Sequence, residues 1–255
     1  PLVAWYVAHF LSRNRSAVWQ VAWRIALPGI LIAVEPDFGT AAVYFLSLSV
    51  FFWQYSFSLK HVASVAALAL LGLIVLWLFI FKPYQRDRLV SFIFPTRMVQ
   101  VGAESSAQYN ARQALIAVGS GRITGQGLGQ GVQSHLRFLP ERQTDFVFAS
   151  LAEEVGLVGS LTVVLCYGML LGSILQVVFQ RHDQPELKYL LSFAVFIFVQ
   201  TAINIGMNIG LVPITGITLP LLSYGGSSIL AFCVGLGLVM NQISRLKPKV
   251  VLKIT

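Results

Sequence analysis

Charge is what this sequence has least of: Asp, Glu, Lys and Arg make up 11% of its 255 residues, under half the share of roughly 25% in an ordinary soluble domain. That shortage, beside a hydrophobic fraction of 56%, excludes a conventional soluble fold and makes a membrane protein the expectation. Acids are the scarcer sign, ten against eighteen Lys and Arg, which leaves a formal net charge of +8. In a soluble protein such a surplus would suit nucleic acid. No basic soluble module is present to use it that way, so the charges are read as reporters of topology and of anionic lipid contact. Cysteine is almost missing too. Cys166 and Cys233 both fall inside apolar runs, where a thiol is expected to behave as a small buried hydrophobe, and two such thiols build neither a disulfide framework nor a metal cluster. No repeat, heptad pattern or Gly/Ser linker divides the chain, which is read as one integral membrane domain over residues 1–255. A basic n-region with a small-residue cleavage site is also lacking, so no cleavable signal peptide is read.

What is present is a series of apolar runs long enough to cross a hydrocarbon core, about 18 to 25 residues each. The opening run after Pro1 has only about half the usual span of about 20 residues, so the chain is expected to be truncated at its N-terminus. Arg13, Arg15 and Arg24 follow it as an inside marker. The stretch from Ile25 to about Trp53 is broken by Glu35, Pro36, Asp37 and Gly39. Two carboxylates in mid-helix are expensive in lipid, so two short segments meeting at a wet face are favoured over one kinked helix. Clean spans are expected at about 62–81, 148–179, 189–207 and 227–243, about seven membrane segments in all. Keeping the short basic loops inside sends residues 82–147, residues 208–226 and the break at 35–40 to one outer face. The fold expected is an all-α polytopic bundle with a long extracytoplasmic loop at about 82–147.

Several polar groups on that face could carry chemistry. Asp145 follows Glu141, Arg142 and Thr144 and stands just before an apolar span. Partial desolvation there would raise its pKa and suit it to take a proton from a sugar hydroxyl, with Arg142 keeping it ionised. The plain alternative is that Asp145 or Thr144 caps the next helix. Glu153 and Glu154 are adjacent in that helix, so at least one should face protein or water, either paired with an Arg or touching substrate. Asp37, in the Pro- and Gly-flanked break, either lines a cavity or neutralises an internal Arg. The glycine runs at 119–121 and 125–131 lack a preceding strand, so loop packing is preferred to phosphate binding. Eight Lys and Arg against four acids populate 82–147. Arg86 and Arg88 among them suit bidentate phosphate contacts, although lipid headgroups would ask for the same charges. Ser223 and Tyr224 lie in a Pro- and Gly-rich stretch whose irregular backbone must be buried or line a cavity.

EPDFGT at 35–40, FLPERQTDFVFASLAEEVG at 138–156 and PLLSYGGSS at 220–228 resemble the signatures of the SEDS family, the shape, elongation, division and sporulation proteins. YNARQALIAVGSG at 109–121 and PITGI at 213–217 resemble the RodA elongation branch more than the FtsW division branch. The resemblance implies a glycosyltransferase of the bacterial cytoplasmic membrane that polymerises lipid II on the outer face, beside a class B penicillin-binding protein that crosslinks. It implies Asp145 as catalytic base, and Arg142, Glu141, Thr144, Asp37, Arg86, Arg88, Ser223 and Tyr224 are read as the substrate-binding residues around it. A divalent cation, Mg or Mn at no assigned site, would help the leaving diphosphate. Members usually have about ten helices, so about three are expected to be missing at the front and the fragment to be inactive alone. A lipid flippase or transporter and a non-catalytic scaffold are the competing readings.

Overall fold

The computed structural model describes residues 1–13, 18–34, 37–52, 92, 106–136, 138–180 and 187–245. Over these the chain is helical: α1 Leu2–Arg13, α2 Val18–Val34, α3 Phe38–Ser49 with a 3-10 turn at Val50–Phe52, α4 Ser106–Ser120, the single turn α5 Val132–His135, α6 Val147–Gln180, α7 Leu187–Asn208 and α8 Gly226–Arg245. Among the described residues α6, α7 and α8 are long and apolar enough to cross a membrane, and they coincide with three of the expected spans. The span expected at 62–81 lies outside the described residues.

The centre of the bundle is α7, which packs against α1, α3, α4, α6 and α8. Its polar side chains explain how. Ser192 donates to the carbonyl of Ser47 in α3 at 2.8 Å, and the Tyr189 hydroxyl donates to the carbonyl of Gly235 in α8 at 3.0 Å. A side chain at Gly235 would overlap the ring of Phe193, so the glycine lets α7 and α8 close on each other. Around these contacts Phe51, Tyr189, Phe193, Ile197 and Phe232 form the buried core.

Two short segments do meet at the 35–40 break: α2 and α3 form a hairpin, held where the Tyr44 hydroxyl donates to the carbonyl of Ile25 at 3.0 Å. Asp37 ends the hairpin as N-cap of α3, accepting from Thr40 N at 3.0 Å and Thr40 Oγ1 at 2.6 Å. Cys166 and Cys233 depart from expectation. Both are exposed on the surface, because on the peripheral helices of a membrane bundle an apolar position can face lipid as well as core.

The longest helix is not continuous. Thirty-four residues at about 1.5 Å each would extend about 51 Å, against a hydrocarbon core of about 30 Å. The helix breaks at Gly156, with φ 68° and ψ −164°, into a short first segment carrying residues 147–155 and a longer second one from residue 157. Broken backbone near a membrane must find partners within the protein, and the glycine-rich loop supplies them. Leu157 and Val158 N–H donate to the carbonyls of Arg122 and Ile123 at 2.9 and 3.2 Å, while Gln126 and Gly127 N–H donate to Glu153 and Glu154 carbonyls at 2.9 and 3.0 Å. Gly125, at φ 81°, sits so close that a Cβ would overlap the Glu154 carbonyl. The preference for loop packing at these glycines thus gains a definite form, a backbone plug in a helix break.

Candidate active site

Asp145 lies in a tight turn, residues 141–146, that leads into the first segment of α6. Glu141 begins the turn in the left-handed region at φ 54°. Its carbonyl accepts from Thr144 and Phe146 N–H at 3.1 and 3.2 Å, and its carboxylate accepts from the Thr144 hydroxyl at 3.0 Å. Two of the expected substrate-binding side chains therefore bind each other.

The turn is fixed from α7 by two fully buried amides, Asn204 and Asn208. Both Nδ2 groups donate to the carbonyl of Asp145, at 2.9 and 3.1 Å. Asn204 Nδ2 also reaches the carbonyl of Ile217 at 2.6 Å, and Asn208 Oδ1 accepts from the N–H of Ala149 at 3.0 Å. That N–H belongs to the first turn of α6, where intrahelical acceptors are lacking, so Asn208 does part of the capping expected of Thr144 or Asp145. A buried amide is costly in an apolar helix unless its groups are used; here they position the backbone of one carboxylate.

The loop between α7 and α8 closes the other side. Ser223 is buried and its hydroxyl is engaged twice, accepting from Leu219 N–H at 2.7 Å and donating to the carbonyl of Thr144 at 2.6 Å. Tyr224 N–H donates to the carbonyl of Gln143 at 2.8 Å, leaving the phenol ring exposed. The Tyr167 hydroxyl donates to the carbonyl of Pro220. Gly216 faces Asp145, whose Oδ2 lies 3.6 Å from where a Cβ on that glycine would stand. Next to it, Ile217 and Thr215 lie against Gly39 so closely that a Cβ there would meet them at 2.8 and 3.0 Å. The segments at 37–40, 141–146 and 215–224, distant in sequence, therefore meet around one half-buried carboxylate.

Two cavities flank this junction. One of about 520 Å³, mostly apolar, runs between α1, α3, α7 and α8 and reaches Thr40, Gln200 and Ile217. The other, of about 600 Å³, takes in Arg142, His135, Glu154 and Tyr224. Glu153, beside Glu154, turns away from it and is fully buried. Its carboxylate accepts from Gln133 N–H at 2.8 Å, Ser134 N–H at 3.0 Å and Ser134 Oγ at 2.7 Å. Of the two roles weighed for this pair, Glu153 takes a structural one, with backbone and hydroxyl partners in place of an Arg.

The family model described as cell cycle protein, FtsW/RodA/SpoVE, matches residues 2–247. The chain belongs to that family. It is 38% identical over 225 residues to the Escherichia coli K12 peptidoglycan glycosyltransferase MrdB, covering 85% of this chain and 57% of that protein. It is also 38% identical over 253 residues to a probable peptidoglycan glycosyltransferase FtsW of Thioalkalivibrio sulfidiphilus, covering 92% and 60%. RodA-named relatives score above FtsW-named ones, as the sequence motifs suggest. A solved structure described as a peptidoglycan synthase complex that coordinates polymerization and crosslinking aligns at TM-score 0.70 and 29% identity, covering 95% of this chain and 67% of that one. A mutant of Thermus thermophilus rod shape determining protein RodA aligns at 0.58 and 25%, covering 95% and 64%. This chain thus spans about three-fifths of the curated relatives it matches, and it is a multi-pass protein of the bacterial cytoplasmic membrane.

In this SEDS chain the structure gathers Asp145, Glu141, Arg142, Thr144, Ser223 and Tyr224 within one junction, and Asp37 caps the hairpin whose Gly39 touches it. Arg86, Arg88 and Glu35 lie outside the described residues. Sequence reasoning passed over Asn204, Asn208 and His135. The two asparagines did leave a signal, a polar pair four residues apart in an apolar span, which puts both on one helix face.

Proposed function

We propose that the chain forms the catalytic part of a peptidoglycan glycosyltransferase that polymerises lipid II during cell elongation. Asp145 is its general base. The observation that carries this reading is the holding of Asp145: two buried amides clamp its backbone while three signature segments converge on it. Such fixing of a reacting group is what positioned acid–base catalysis requires.

The carboxylate takes the proton from the acceptor sugar's 4-hydroxyl as that oxygen attacks the donor's anomeric carbon from the face opposite its diphosphate. The new C–O bond forms as the bond from the anomeric carbon to the diphosphate oxygen breaks. The electron pair leaves with undecaprenyl diphosphate, the configuration inverts, and Asp145 passes its proton to water. Arg142 is the cation nearest in sequence to receive the developing negative charge. A divalent cation, Mg or Mn, would help carry the charge of the leaving diphosphate; among the described residues no three His, Cys, Asp or Glu side chains group as a site for it. The Glu141 carboxylate holds the Thr144 hydroxyl, while Thr144, Ser223 and Asp37 hold backbone; Arg142 and the exposed Tyr224 ring are the proposed substrate contacts. A class B penicillin-binding protein is the proposed crosslinking partner, in keeping with the synthase complex that this fold resembles.

A flippase would need to open to both membrane faces, and the groups proposed here cluster at one end of α6 and α7. The test is lipid II polymerisation by full-length protein with its partner, wild type against Asp145→Ala. Loss of glycan synthesis with unchanged folding is expected; equal synthesis would remove Asp145 from the chemistry.

A further inference from the structure

The sequence groups Arg24 with Arg13 and Arg15 as a loop marker, but the structure places it inside α2, six residues on from Val18 and so about 9 Å along the helix. A charge carried that far into an apolar span is costly and calls for polar company. Its guanidinium carbon lies 4.0 Å from the centroid of the Phe10 ring and 5.9 Å from that of Tyr6, both on α1. Its Nε donates to the Tyr6 hydroxyl at 3.3 Å. Tyr6 and Phe10, four residues apart, share one face of α1. Away from this contact the two helices turn apolar. Leu27 and Leu31 follow Arg24 by three and seven residues and so stand on its face of α2, while Leu2 stands four residues before Tyr6 on α1. Leu2, Tyr6, Leu27 and Leu31 are all exposed. The helix pair therefore presents a cation seated on aromatic rings, with a row of uncovered aliphatic side chains leading away from it. The stretch from 13 to 24 holds three Arg and no Asp or Glu.

We infer that the α1–α2 groove binds an anionic phospholipid of the cytoplasmic leaflet, its phosphate at Arg24 and the Tyr6 hydroxyl and an acyl chain along Leu2, Leu27 and Leu31. The basic stretch at 13–24 faces the cytoplasm by the positive-inside rule. The direction from Arg24 to Leu31 then runs from the headgroups towards the bilayer centre, which is how a phospholipid lies. Stacking uses the face of a guanidinium, whereas its edge carries the N–H donors that match phosphate oxygens. The Tyr6 hydroxyl accepts from Arg24 through its oxygen and keeps its own O–H as a donor. Charge selects among lipids: three Arg without an acid favour a headgroup of net negative charge over a zwitterion. The aliphatic row selects against a soluble anion, which would satisfy the cation and leave Leu27 and Leu31 uncovered.

The test is lipid retention by the full-length protein in detergent, read by native mass spectrometry during titration with phosphatidylglycerol or phosphatidylcholine, with inorganic phosphate as competitor. Wild type should hold phosphatidylglycerol about tenfold more tightly than phosphatidylcholine, and Arg24→Gln should lose that factor, as expected for a lost charged hydrogen bond. Arg24→Lys, which keeps the charge without the flat stack on Phe10, should fall between them. Tyr6→Phe keeps the ring under Arg24 and removes only the hydroxyl, so it should weaken phosphatidylglycerol by a smaller factor with little risk to the fold. Arg245→Gln removes a positive charge at the exposed basic end of α8 and should change nothing. Inorganic phosphate should not compete. Phosphatidylglycerol held equally by wild type and Arg24→Gln, or a loss in Arg245→Gln as large as in Arg24→Gln, would overturn the site. Phosphatidylcholine held as tightly as phosphatidylglycerol, or displacement of the lipid by inorganic phosphate, would overturn its assignment to an anionic phospholipid.

Discussion

At the scale of single residues, function rests on groups that the chain spends on holding other groups. Asn208→Asp keeps the acceptor for Ala149 N–H but loses the donor to the Asp145 carbonyl and adds a buried charge. An unsatisfied buried group costs about 1–3 kcal/mol, so kcat for lipid II polymerisation should fall tenfold or more. Asn208→Ala should be milder in rate and should lower the melting temperature; wild-type kinetics in both would remove the clamp from the account. Glu153 supports a parallel expectation. Glu153→Ala strands two backbone donors and a hydroxyl, at about 3 kcal/mol or more, whereas Glu153→Gln keeps an acceptor and should recover part of the loss in thermal melts. Asp145 was singled out in the sequence because it lies in the run 138–156 that resembles a family signature; its place before an apolar span left a helix cap equally open. Its clamp was not legible, since nothing in a one-dimensional pattern tells which carbonyl a buried amide will face.

At the scale of elements, the decisive feature is the break at Gly156 and the loop that fills it. The sequence shows apolar residues on both sides of this glycine, which reads as one continuous span. The plug itself is made by backbone groups, which leave no side-chain signature beyond the glycines that allow close approach. Gly125→Ala places a methyl against the Glu154 carbonyl at a positive φ, and it should free the loop: faster hydrogen exchange at 122–127 and 153–158, with reduced activity. Gly119 lies in α4 with open space around its missing side chain, so Gly119→Ala should be neutral or stabilise by up to about 1 kcal/mol. Equal exchange in both variants would show that the loop does not brace the break. The α2–α3 hairpin was more readable, because Pro, Gly and two acids together rarely sit in the middle of a membrane helix.

At the scale of the whole molecule, three spans were visible from hydropathy alone because lipid asks for long apolar helices and little else. Hydropathy does not separate faces that meet core from faces that meet lipid, and the thiols show it. Cys166 and Cys233, exposed on α6 and α8, should react in membranes with a lipid-soluble maleimide and resist a charged one; labelling by the charged reagent would contradict the membrane placement of those faces. The start of α6, the end of α7 and the start of α8 bring together segments more than a hundred residues apart around one carboxylate, and the account stands or falls with it. The most direct test is single-turnover lipid II polymerisation by full-length protein with its partner, comparing wild type with Asp145→Asn at saturating substrate. The account predicts a chemical step slowed at least a thousandfold with lipid II affinity within about twofold of wild type, roughly the loss expected when a general base is removed from an otherwise intact site. A chemical step at the wild-type rate would contradict it.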